Sequence, residues 1–97
     1  MLIELKKYGT LLLSRQNGRE AFAAFQPQLT ALSESENLEL DFEGVITLSP
    51  SWADEFLSPL LDLMGDRLVL LPSDNLSVHA TLRILQEANK SVFRMKL

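Results

Sequence analysis

LELDFEGVITLSPSWADEFLSPLL, residues Leu38 to Leu61, holds a strand, a turn and a helix start in direct succession, and its reading sets the fold class. Leu38, Leu40 and Phe42 point one way along an extended chain while Glu39, Asp41 and Glu43 point the other, the period of a strand. Gly44 ends that strand. From Ala53 the period changes: Ala53, Phe56, Leu57, Leu60, Leu61 and Met64 occupy i, i+3, i+4, i+7, i+8 and i+11, one face of a helix. Between the two patterns stands Ser49-Pro50-Ser51. Serine is among the best residues at a helix cap, and proline suits the first helical position because its missing N–H would be unpaired there anyway. The pattern predicts Ser49 as the cap, Pro50 as the first helical residue and Ser51 as the second. Gly65 closes the helix as a residue that can turn left-handed, and Pro59 inside it predicts a kink.

On the N-terminal side, Leu2 to Tyr8 alternates in part between apolar and charged residues. Gly9 then precedes the apolar run Leu11, Leu12, Leu13, so the expected unit is a two-stranded hairpin turning at Gly9. SRQNGREAFAAF carries helix-start chemistry twice, with Ser14 as one possible cap and Asn17 with Glu20 as an N-x-x-E box. Phe22, Phe25, Leu29 and Leu32 share one face of the helix that follows, and Pro27 is expected to bend it. On the C-terminal side, RLVLLP is an unalternated apolar run stopped by Pro72, as in a central strand covered on both sides. SDNLS is the loop after it. Val78, Leu82, Leu85 and Ala88 form the stripe of a third helix, and Val92, Phe93 and Met95 are either a last strand or an apolar tail. The expected fold is α/β: one domain over residues 1–97, ordered β-β-α-β-α-β-α, with a mixed sheet of four to five strands and about three helices.

The 97 residues suffice for one core without staples. With no cysteine, disulfides, thiolate metal sites and cysteine nucleophiles are excluded together, and a reducing compartment is allowed. Glu4, Lys6 and Lys7 interrupt MLIELKKYG, and no apolar run is long enough to span a bilayer, so the chain reads as soluble and cytoplasmic. The net charge of −4 comes from scattered acids, and Arg15 with Arg19 is the nearest approach to a basic cluster. Nucleic acid is therefore not an expected partner.

Ser51 falls in a first helical turn, whose backbone N–H groups have no partner inside the helix. A phosphate on its hydroxyl would meet those donors and the positive end of the helix dipole, and would add about −2 charge and three acceptor oxygens. The plainer alternative makes Ser51 a small polar residue of the first turn, with Asp54 completing a second capping box. Trp52 has two readings as well, as a cover for the core or as an exposed anchor for a partner.

The stretch LELDFEGVITLSPSWADEFLSPLL resembles the central strand-loop-helix of STAS domains, the anti-sigma-factor antagonist fold. There a hydrophobic strand ends in Asp, a Gly-Val pair follows and a serine opens the next helix, places held here by Asp41, Gly44, Val45 and Ser51. The chain is more similar still to STAS-like domains of unassigned function, which carry a glycine and short strand leading to Ser-Arg, as in YGTLLLSR (Tyr8 to Arg15). The resemblance runs from about Gly9 to about Asn89. It implies a protein-interaction module whose partner is a GHKL-type ATPase or anti-sigma kinase, with Ser51 at the place of the phosphoacceptor serine. Ser49 and Trp52 depart from the Asp and Gly that flank the serine pair in phosphorylated antagonists. The partner-facing surface expected on this basis comprises Ser49, Pro50, Ser51, Trp52 and Glu55.

Other chemistry is thin. His79 is the single histidine, so neither a histidine-based triad nor a multi-histidine metal site can form within one chain. Asp41, Glu43, Asp54 and Glu55 lie near the serines and offer an acid/base pair or a hard-cation site in principle. No metal-loop spacing, phosphate loop or nucleotide fingerprint is present, so no cofactor is expected. The rival from another class is a small hydrolase or phosphotransferase using Ser51 as nucleophile with Asp41 or Asp54.

Overall fold

Leu68, Val69 and Leu70 are all buried, and they form the strand on which the sheet is built. The computed structural model describes residues 1–97. In chain order it contains β1 (Leu2–Glu4), β2 (Leu11–Leu12), α1 (Arg15–Phe25), β3 (Leu38–Asp41), β4 (Thr47–Leu48), α2 (Pro50–Met64), β5 (Leu68–Leu70), α3 (Leu76–Asn89) and β6 (Arg94–Met95). Short 3-10 segments cover Leu5–Tyr8, Gln26–Ala31 and Gly65–Arg67. The class is α/β with three helices, as the alternating patterns predict.

The main sheet has the order β1-β3-β5-β6, and every pair in it is parallel. Each step along the chain moves in the same direction across that sheet. Right-handed crossovers then set all three helices on one face. That face carries the row Ile3, Leu40 and Leu70, in register, with Leu38 and Leu68 beside it, all buried. The opposite face presents Leu2, Glu39, Val69 and Arg94 in register and has no helix over it. Val69 is nonetheless buried, because long side chains close over it and Lys96 pairs with Glu39 at 2.7 Å. The central strand is thus covered by helices on one side only, where cover on both was expected.

The expected N-terminal hairpin does not form. β1 pairs with β3 and β2 pairs with β4, both in parallel, and β2 and β4 make a separate two-stranded sheet. The reason lies between the strands: Leu5 turns fully into the core from a 3-10 segment, so the chain passes from one sheet to the other. The sheets are accordingly parallel rather than mixed.

α1 starts at Ser14, whose Oγ accepts from the Asn17 N–H at 3.0 Å. Asn17 therefore lies inside the helix, and of the two helix starts only Ser14 serves. Pro27 does not bend a longer helix. It falls at the second residue of the 3-10 segment that succeeds α1, and Phe22, Leu29 and Leu32 pack only partly into the core. α2 runs unbroken through Pro59, and Gly65 follows it with φ +55°. The region after β5 is more ordered than a plain loop. Asn75 caps α3 through its Oδ1, which accepts from Ser77 and Val78 N–H at 2.8 and 3.2 Å. Val92 is exposed, Phe93 is buried, and Arg94–Met95 completes the sheet as a last strand.

Candidate functional site

α1 and α2 each follow a strand of the small sheet, so the parallel pairing of β2 with β4 brings their N-termini side by side. Leu12 is opposite Leu48, which leaves Leu13 beside Ser49. Ser49 uses its hydroxyl twice. Its Oγ accepts from the Trp52 N–H at 3.1 Å, which caps α2, and donates to the Leu13 carbonyl at 2.5 Å, which ties that cap to the strand leading into α1. Pro50 is the first residue of α2, as predicted, and is exposed. Ser51 is the second and is partly exposed.

Capping at this terminus belongs to Ser49, and the second capping box is not formed. Asp54 is engaged elsewhere: its Oδ1 accepts from Ser58 Oγ at 2.8 Å and its Oδ2 from Arg15 at 3.0 Å. The same Arg15 nitrogen donates to Glu55 Oε1 at 3.0 Å, and Arg19 approaches that oxygen at 3.5 Å. Hydrogen bonding to Arg15, and secondarily to Ser58, holds the Asp54 carboxyl below its ordinary range. Arg15 does the same for Glu55, assisted by Arg19. Ser51, Asp54 and Glu55 stand at i, i+3 and i+4 and therefore share one face of α2. Arg15 and Arg19 of α1 line its far side, so the patch beside Ser51 carries both signs of charge.

Trp52, expected at the partner-facing surface, is 1% exposed and belongs to the core. Its ring stacks on Phe56 at 5.0 Å, and Phe56 in turn meets Tyr8, Phe22 and Phe25. Side chains four apart on a helix share a face, which is why Trp52 follows Phe56 inward. Of the five residues expected at the surface, Ser49, Pro50, Ser51 and Glu55 form one exposed to half-buried rim, and Trp52 supports it from behind.

The remaining candidates are dispersed. Asp41 accepts from the backbone N–H of Glu43 at 3.0 Å and closes the turn after β3. Together with Glu43, Ser73 and Asp74 it edges a shallow depression at the ends of β3 and β5, apart from the Arg15 cluster. His79 is exposed on α3 and contacts the Ser73 carbonyl. Nowhere do three or more acidic or histidine side chains converge to hold a metal ion, and no helix is long and apolar enough to cross a membrane.

Two features had no counterpart in the sequence reading. Thr81 is a buried polar residue whose hydroxyl donates to the Leu48 carbonyl at 2.6 Å, and Ser77 exchanges hydrogen bonds with Leu48 N–H and C=O. α3 thereby serves the backbone of β4 that β2 leaves free. A polar residue placed at i+3 within the Val78 stripe was the available signal. Tyr8 is the second feature: its hydroxyl is shut off from water and has no hydrogen-bond partner, and burial raises its pKa. Compared with family models, with curated proteins and with solved structures, the chain matches none.

Proposed function

We propose that this chain is a regulatory protein-interaction module, similar to anti-sigma-factor antagonists and STAS-like domains, and that it acts in the cytoplasm on a GHKL-type ATPase or anti-sigma kinase. Phosphorylation of Ser51 is its switch. The observation that carries this reading is the division of labour at the start of α2: Ser49 supplies the cap, which leaves the neighbouring Ser51 hydroxyl free of that duty and partly exposed. A phosphate there would lie one turn from Asp54 and Glu55 and over the first-turn N–H groups, changing the charge of the rim without unfolding the domain. Asp54 supports binding over catalysis as well. A carboxylate held ionised by Arg15 is a poor general base for a serine nucleophile.

The test is phosphate transfer from a cognate kinase with ATP, read by mass spectrometry on protein from the native host with a phosphatase-treated control. One phosphate is expected at Ser51, none on Ser51→Ala, and weaker partner binding by Ser51→Asp with the fold intact. An unmodified Ser51 under all growth conditions, with Ser51→Asp binding as tightly as the native chain, would leave a constitutive module and remove the switch.

A further inference from the structure

β2 has one free edge. Thr10 and Leu12 direct their carbonyls to β4, where they accept from Ile46, Thr47 and Ser49. In a parallel pair the backbone groups of successive residues alternate sides, so the N–H and C=O of Leu11 point away from β4. No further strand pairs there. Beside this edge runs a groove of about 340 Å³, bounded by Leu11 and Leu12 on one side and by Asn17, Glu20, Ala21 and Ala24 of α1 on the other. Tyr8 and Trp52 complete its wall.

Two properties of the groove bear on its occupant. Leu11 is 58% exposed at its mouth, and α1 faces it with the short apolar Ala21 and Ala24 beside the polar Asn17 and Glu20. Glu20 is its one charged group, and its hydrogen bond comes from the neutral Gln16 at 3.3 Å, with no cation paired to it. An open strand edge, a largely apolar wall and an unneutralised carboxylate are together the complement of extended peptide backbone with a basic side chain.

We propose that this groove receives an extended segment of a protein partner, which adds a third strand along Leu11, places an apolar side chain against Ala21 and Ala24, and carries a lysine or arginine to Glu20. This goes beyond the reading of Ser51: it names a second contact surface, on the β2 side of α1, that needs no phosphate.

The experiment is a titration of nitrogen-15-labelled protein with a capped octapeptide alternating valine and lysine, followed by NMR. The Leu11 amide signal is expected to move downfield and its hydrogen exchange to slow, with further shifts at Ala21 and Ala24. Three comparisons fix the cause. An octapeptide methylated on alternate backbone nitrogens, an octapeptide with glutamate in place of lysine, and native peptide added to Glu20→Lys protein should each bind about ten-fold more weakly or worse. Ser51→Asp should leave the titration unchanged, so that failure of the switch and failure of the groove are told apart. The proposal is overturned if the methylated peptide binds as well as its parent, if the shifts fall away from Leu11, or if millimolar peptide leaves the spectrum unmoved.

Discussion

Gly18 of α1 lies against the backbone of Trp52 in α2 so closely that a Cβ on Gly18 would stand 2.4 Å from the Trp52 carbonyl oxygen. Glycine inside a helix is ordinarily unfavourable relative to alanine, by about 0.5–1 kcal/mol. Here it sets the distance between the two helices whose N-termini make the rim. Gly18→Ala should therefore destabilise the fold by about 1–3 kcal/mol despite the gain in helix propensity, because a carbonyl in a helix cannot swing aside as a flexible side chain can. Urea unfolding measures this directly. An unchanged or raised midpoint would mean that α1 can shift at no cost.

That contact also shows what the sequence could and could not reveal. Gly18 stands in SRQNGREAFAAF with no local sign of its partner, which lies in another helix and becomes its neighbour only through the pairing of β2 with β4. The same distance in sequence hid the strand partners of Leu2–Glu4 and Leu11–Leu12, and local alternation favoured a hairpin that the buried Leu5 forbids. Features decided within one turn were legible: Ser14 and Ser49 as caps, Gly65 after α2, and the core face Ala53, Phe56, Leu57 and Leu60. Trp52 was legible in principle, since i−4 from Phe56 places it on that stripe. Its setting among serines and a proline disguised it.

Phe56 touches four other aromatic rings and is wholly buried, whereas Ser51 is partly exposed and outside the capping hydrogen bonds. Phe56→Ala should cost about 3–5 kcal/mol and Ser51→Ala at most about 1 kcal/mol. The single tryptophan reports both in one experiment, since buried Trp52 fluorescence should shift to the red on unfolding. Equal losses in the two variants would make Ser51 a structural residue.

Arg15 depresses the carboxyls of Asp54 and Glu55. A depressed folded-state value means stability that is complete above the unfolded range, near about pH 4, and is lost as pH falls through the lower folded-state values. The native chain should therefore lose urea resistance more steeply below about pH 4 than Arg15→Gln, and added salt should narrow the difference because these pairs are largely exposed. Parallel profiles for the two proteins would show that the cluster is decorative.

Asn75 joins α3 to the loop between β3 and β4 with one side chain. Its Oδ1 accepts from the Ser77 and Val78 N–H groups, while its Nδ2 donates to the Val45 and Ile46 carbonyls at 2.8 and 3.0 Å. Aspartate caps a helix about as well as asparagine, so Asn75→Asp keeps the first pair of bonds. It cannot keep the second, because an ionised carboxylate only accepts and would face two carbonyl oxygens. The expected loss is about 1–3 kcal/mol at pH 7, the range for stranding buried hydrogen-bonding groups, and it should shrink as acid protonates the carboxyl and restores one donor. Asn75→Ser, which retains a cap but reaches less far, should fall between the native protein and Asn75→Asp. A result in which Asn75→Asp unfolds at the native urea concentration would mean that Val45 and Ile46 find water instead, and that capping alone explains the residue.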